Sequence, residues 1–201
     1  MVGMLLGRRR LCGEGGVLIP QPERNTMNII AARLYISPRT RALNNEEAET
    51  RRLSYAIKDR RSSTADFARV GLEMAHLISG PCWLVPIPSS TGDTVANTIL
   101  CMQIASFLTG ARMVKAIIRT SPIESQCARH RKALGSISPA AHHFKRSNKF
   151  LEAIPLYLVD NVTTSGNTLQ AAHDALGFGT GLVFADAACH SVQIQTDLFS
   201  Y

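Results

Sequence analysis

Apolar residues along the chain gather into short runs separated by segments with helical spacing. CWLVPIP (82–88), ARMVKAIIR (111–119), LYLVD (156–160) and GLVFADAACH (181–190) are nearly continuous apolar stretches bounded by Gly, Pro or small polar residues. Such runs predict strands buried on both faces. NIIAARLYI (28–36), ahead of Pro38, holds a further short strand. Asn44 and Asn45 precede EEAETRRLSYAIK, a helix start with acids in its first turn. Ser63-Thr64-Ala65-Asp66 predicts the cap of a second helix, to about Ile78, with Phe67, Val70, Met74, Leu77 and Ile78 on its apolar face and Gly80-Pro81 as its stop. Helices are also predicted over about 93–108 and over 169–176, followed by Gly110 and Gly177.

Strands alternating with helices predict an α/β fold, an open parallel sheet flanked by helices. Ligands of such sheets bind at the carboxyl ends of the strands. Here those ends are Pro88–Gly92, Arg119 onward, and Asp160–Thr168. Residues 1–26 are rich in Gly, Arg and Pro and predict an irregular leader, so that either Met1 or Met27 suits a start. Residues 27–80 form a helical N-terminal part and 81–201 the core, interrupted by a polar, basic and poorly periodic stretch at 120–150.

The chain has 201 residues, 45% of them hydrophobic, which excludes a disordered protein. No apolar run approaches the roughly 20 residues that span a bilayer, so no membrane partner is expected. The net charge of +7 is uneven: residues 1–61 carry +6, 116–149 carry +6, and 150–201 carry −5. A basic balance suits an anionic partner such as phosphate, nucleotide or nucleic acid, although exposed charges of this kind also serve simply to solvate a face. The cysteines Cys12, Cys82, Cys101, Cys127 and Cys189 are odd in number and form no C-x-x-C. A disulfide scaffold or zinc ribbon is therefore not expected; Cys82, Cys101 and Cys189 read as reduced core thiols of a cytoplasmic protein.

The densest candidate chemistry is Asp160-Asn161-Val162-Thr163-Thr164-Ser165-Gly166-Asn167-Thr168. A buried strand delivers one carboxylate to its end, and small hydroxyl residues around a glycine then open a helix. Loop N–H groups and a helix N-terminus can cradle an anion. Thr164, Ser165 and Thr168 add hydroxyl donors, and Gly166 allows close approach. No G-x-x-x-x-G-K-[ST] is present, which excludes a P-loop. Asp160 beside the cradle suits the hydroxyls of a sugar phosphate. An ordinary hydroxyl-capped strand–turn–helix has the same pattern and needs no ligand.

This stretch resembles the PRPP-binding motif of the type I phosphoribosyltransferases (PRTases): four apolar residues, an acidic pair, then T-[TS]-G-x-T. Here these are Leu156–Val159, Asp160-Asn161 and Thr164–Thr168. The order of YAIKDRRSSTADFARVGLEMA (55–75), LVPIPSS (84–90) and RTSPIESQCARHRKALGSISPAAHHF (119–144) is similar to the ComF-like and orotate-type members. The resemblance implies transfer of a phosphoribosyl group from PRPP to a base or base-like acceptor, with release of pyrophosphate. It implies that Asp160, Asn161 and Thr163–Thr168 bind the ribose and 5-phosphate. Pro88, Ser89, Ser90 and Thr91 would form the pyrophosphate loop, and Arg119 would contact pyrophosphate beside Asp160 and Asn161 at the catalytic centre. Arg129, Arg131 and Lys132 would arrive on a mobile loop. Mg²⁺ would be held through the substrate rather than by protein ligands, and a homodimer is implied as in many relatives.

The departures are specific. Asn161 stands where the second acid belongs, and Thr164 where 6-oxopurine enzymes carry an aspartate base. The N-terminal zinc ribbon of many ComF-like proteins is missing, and the pyrophosphate loop has no basic residue but carries Asp93. Two other functions therefore stay open. One is a non-catalytic PRTase-fold regulator that binds PRPP or nucleotide. The other is a competence, defence or toxin module acting with nucleic acid or a protein complex through its basic N-terminal part. The resemblance implies a small N-terminal hood, here about 27–80, that selects the acceptor, with Tyr35, Tyr55 and Lys58 as candidate hood residues.

Overall fold

The computed structural model describes residues 27–59, 61–125, 128–129, 132–147 and 153–187. Arg131, the leader at 1–26, Cys12, Cys127 and Cys189 lie outside the described residues. The elements run β1 (Ile29–Leu34), α1 (Asn45–Lys58), α2 (Thr64–Ala75), β2 (Cys82–Pro86), α3 (Val95–Ser106), β3 (Ala111–Met113), β4 (Ile117–Arg119), a 3-10 turn (Pro139–His142), β5 (Phe144–Arg146), β6 (Leu156–Thr163), α4 (Asn167–Leu176) and β7 (Thr180–Asp186). β1, β7, β6, β2 and β3 form one sheet in that order, and every pairing in it is parallel. This is the open, helix-flanked α/β architecture that the alternating pattern predicts.

The unbroken apolar runs have a simple cause. Successive side chains of a strand point to opposite faces, and here both faces are covered. Leu84, Val159, Leu182 and Phe184 pack under α1, α2 and α3. Their neighbours Val85, Leu158 and Val183 pack on the other face with Leu169, Ala172 and Leu176 of α4. The helix starts follow from local chemistry. Asn44 accepts from the Glu47 N–H at 2.9 Å, and the Glu47 carboxylate accepts from the Asn44 N–H at 3.0 Å. Ser63 and Asp66 make the same reciprocal box on α2. α2 meets α3 closely because Gly71 has no side chain: a Cβ there would lie 2.5 Å from Gln103 Cβ.

Three predicted features come out differently. The run at 111–119 is not one strand. After the Val114 N–H bonds to the Leu84 carbonyl (3.0 Å), the chain leaves the sheet, and Ile117–Arg119 pairs antiparallel with Phe144–Arg146. The apolar pattern continues because Ala116 and Ile117 are buried against the α4 side of the core, outside the main ladder. The stretch at 120–150 accordingly contains a 3-10 turn and a strand. Residues 27–80 do not stand apart from the core, since β1 is an edge of the main sheet and α1 and α2 share one apolar cluster with β2, β6 and β7.

Candidate functional site

β6 runs three residues further than the sequence predicts, to Thr163, so the acidic pair and Val162 are still strand. Alternation therefore separates Asp160 from Asn161. The Asn161 amide is buried and donates to the Ser54 carbonyl of α1 at 2.6 Å. Asp160 takes the other direction. Its Oδ1 accepts from the Asn97 amide of α3 at 3.1 Å and from the Asn161 main-chain N–H at 2.8 Å. Two residues expected to act side by side are thus turned to different partners.

Past Thr163 the chain turns through Thr164, Ser165 and Gly166. Gly166 adopts a left-handed conformation (φ +73°) as the N-cap of α4. An L side chain rarely accepts that φ, which is why glycine is needed there. Among the described residues, the main-chain N–H groups of Thr164, Ser165 and Gly166 donate to no protein acceptor, and neither do the hydroxyls of Thr164, Ser165 and Thr168. Asn167 differs: its amide donates to the Ile137 carbonyl at 2.7 Å and ties the 132–147 segment to the start of α4. The result is a concentration of free donors at a helix N-terminus, a suitable seat for an anion.

The loop after β2 lies at the same carboxyl edge of the sheet. Ser89 and Thr91 are exposed, and their hydroxyls bond each other, with Ser89 Oγ 2.9 Å from Thr91 Oγ1. The Ser90 carbonyl accepts from the Ile123 N–H at 2.9 Å, and Pro88 is buried. Asp93 accepts from the Val95 N–H at 2.8 Å and so serves the start of α3. Arg119 is a clamp on this loop. It donates Nε to the Ser89 carbonyl (2.7 Å), Nη2 to the Pro88 carbonyl (3.4 Å) and Nη1 to the His142 carbonyl. Its guanidinium also lies 4.3 Å from the Phe144 ring centroid. Burial pulls its pKa down to about 10, partly offset by the Asp160 charge, so it stays cationic at neutral pH. Arg129 donates to the Gly135 carbonyl at 3.0 Å, and Lys132 pairs with Glu124 at 2.5 Å. Both cations are engaged within their own loop.

Asp160 is half-buried, and burial pushes its carboxyl above the usual range; the hydrogen bonds from Asn161 and Asn97 and the charges of Lys58 and Arg119 oppose this. Asn97 escapes a motif-based reading. The available signal is a lone amide in register with Leu100, Cys101 and Ile104 on the buried face of α3.

His142, at the end of the 3-10 turn, is buried, and its Nδ1 has no hydrogen-bond partner among the described residues. Burial, then the charges of Arg119 and His143, pull its pKa down to about 4. A histidine held neutral in the fold and near 6.5 when unfolded contributes stability above pH 6.5. That stability is lost as pH falls from 6.5 toward 4, on the order of 2–3 kcal/mol in total. His142→Phe should flatten this part of the profile, because Arg119 bonds the main-chain carbonyl and not the ring. Melting curves of both proteins at pH 7.5 and 4.5 test it; an equal fall in Tm refutes it.

Among the described residues, several arginines of the N-terminal part and of α2 are paired. Arg33 pairs with Glu73, Arg41 with Glu47, Arg52 with Glu49 and Asp66, and Arg69 with Glu49 and Glu73. Arg51 lies 5.1 Å from the centroid of the exposed Tyr55 ring. Among the described residues, Cys82 and Cys101 are buried free thiols, and no helix is long and apolar enough to cross a membrane. No protein-family model matches this chain, and no curated protein matches it.

Proposed function

We propose that the chain is a phosphoribosyltransferase that binds PRPP at the carboxyl edge of β6 and transfers its phosphoribosyl group to a base or base-like nitrogen. The observation that carries this reading is the set of unpartnered donors of Thr164, Ser165, Gly166 and Thr168, close after Asp160, whose Oδ2 has no donor among the described residues. An anion seat next to a half-free carboxylate matches a sugar 5-phosphate, whose hydroxyls lie a few ångströms from its phosphate.

In this reading the Thr164–Thr168 donors hold the 5-phosphate, and Asp160 Oδ2 accepts from a ribose hydroxyl. Fixing both ends of the sugar orients C1′ for attack. The acceptor nitrogen forms a bond to C1′ as the bond from C1′ to the pyrophosphate oxygen breaks, and the electron pair leaves with pyrophosphate. Lys58 and Arg119 supply positive potential beside Asp160. Arg119 holds the 88–91 loop in shape, with three of its five N–H donors on main-chain carbonyls.

Among the described residues no three His, Cys, Asp or Glu side chains converge into a metal cage. A single free carboxylate oxygen fits Mg²⁺ carried in by the substrate's own phosphates, where it would neutralise charge developing on pyrophosphate.

The second reading, a PRPP- or nucleotide-binding regulator without turnover, is favoured by Asn161, whose amide nitrogen donates to α1. Titration calorimetry of PRPP with and without Mg²⁺, followed by a pyrophosphate-release screen over bases, separates the two. Magnesium-dependent binding with release supports the transferase. Binding without release under any base supports the regulator; no PRPP binding by folded protein removes the transferase and leaves only a nucleotide as the regulator's ligand.

A further inference from the structure

Asn97 is the polar exception on α3. The helix buries it with Leu100, Cys101 and Ile104, and residues 95–111 contain no charged side chain. A buried amide in such surroundings is retained only if its donors are used. Asn97 Nδ2 lies 2.9 Å from the Ile87 carbonyl oxygen and 3.1 Å from Asp160 Oδ1. A main-chain carbonyl can only accept, so the nitrogen side of the amide must face this pair. Both hydrogens of one NH₂ are therefore spent where two neighbouring strands, β2 and β6, leave the sheet.

The consequence falls on one carboxylate. Asp160 Oδ1 takes two donors, from Asn97 and from the Asn161 N–H, while Oδ2 takes none among the described residues. The charged groups that face it are Lys58 from α1 and Arg119 from β4. Neither is hydrogen-bonded to it among the described residues, so neither sets its rotamer. We propose that Asn97 is a positioning residue: it anchors Oδ1 of Asp160, fixes the rotamer, and so presents Oδ2 to the hydroxyl of a bound sugar phosphate. This rests on the reading of Asp160 as the ligand-facing carboxylate.

Asn97→Leu keeps the volume and removes both donors. Asn97→Ser keeps a single shorter donor and serves if the leucine variant does not fold. Three quantities are measured on the full chain: the Asp160 carboxyl titration by ¹³C NMR, Mg²⁺–PRPP affinity by calorimetry, and inorganic phosphate affinity by NMR. With the charged form of Asp160 stripped of one donor, its midpoint should rise by about one pH unit. PRPP binding should weaken about tenfold. Inorganic phosphate, which needs only the 164–168 donors, should bind as before. A variant with lowered Tm but an unmoved Asp160 titration would reduce Asn97 to a structural amide and overturn the proposal. An equal loss of PRPP and phosphate binding would also overturn it, because the damage would then be to the cradle. If the titration shifts while even the unaltered protein fails to bind PRPP, the positioning role stands and the PRPP reading falls.

Discussion

Asp160→Asn should weaken magnesium-dependent PRPP binding about 100-fold while making the folded protein more stable. The binding loss follows from Oδ2, the oxygen left free for a ligand hydroxyl. A neutral amide there forfeits a charge-assisted bond. The gain in stability follows from burial. The folded carboxyl titrates above its unfolded value, so its proton is held more tightly in the native state. Stability from this group is present at low pH and is lost as pH rises from the unfolded value through the raised native one. At neutral pH the ionised group is a net cost. Asparagine removes that cost and still accepts from Asn97 and the Asn161 N–H through its carbonyl oxygen. Tm at pH 7.5 should rise by about 2–4 °C, with the difference closing near pH 3.5. Unchanged PRPP affinity would remove Asp160 from the site, and a lower Tm at neutral pH would contradict the burial argument.

Glu73→Ala should cost about 3 kcal/mol, a large share of a domain's usual 5–15 kcal/mol, roughly. Arg33 on β1 makes a two-pronged pair with Glu73 on α2, with both contacts at 2.7 Å. It also donates to Thr50 of α1 at 3.1 Å and lies 5.6 Å from the Phe184 ring centroid. The two side chains are only 12% and 9% exposed, so removing the acid strands a cation that water hardly reaches. The expected cost sits at the low end of the buried-pair range because the site is not fully sealed. Replacing both partners, as Arg33→Met with Glu73→Leu, should recover most of the loss, since the desolvation penalty then vanishes for both. Urea unfolding of the unaltered protein and the two variants decides it: if the double variant is as unstable as the single one, the pair contributes more than the relief of its own burial.

Two inner strands and the helix caps illustrate what a linear pattern carries. Asn44 and Ser63 announce their helices because an N-cap is a local interaction, complete within four residues. LYLVD and GLVFAD announce buried strands because both faces of a parallel sheet select apolar side chains. The break between Met113 and Ile117 left no such mark: burial by a neighbouring helix and burial in a ladder select the same residues. Arg119 was legible as a cation near the site, but its three carbonyl partners come from residues 88, 89 and 142.

By itself the sequence determined the layer architecture, the carboxyl edge where chemistry gathers, and the hydroxyl-rich turn with its left-handed glycine. These depend on periodicity, capping and backbone conformation, which act over a few residues. Only the tertiary structure decided that Asp160 and Asn161 part company, that Asn97 anchors the carboxylate, and that Arg119 clamps a loop. Strand alternation turned the neighbours apart, and the partners Ser54, Ile87 and Ile137 are brought in by packing from distant points of the chain. Hydrogen bonds of that kind are satisfied only once the sheet has assembled, because before then each of these groups is bonded to water.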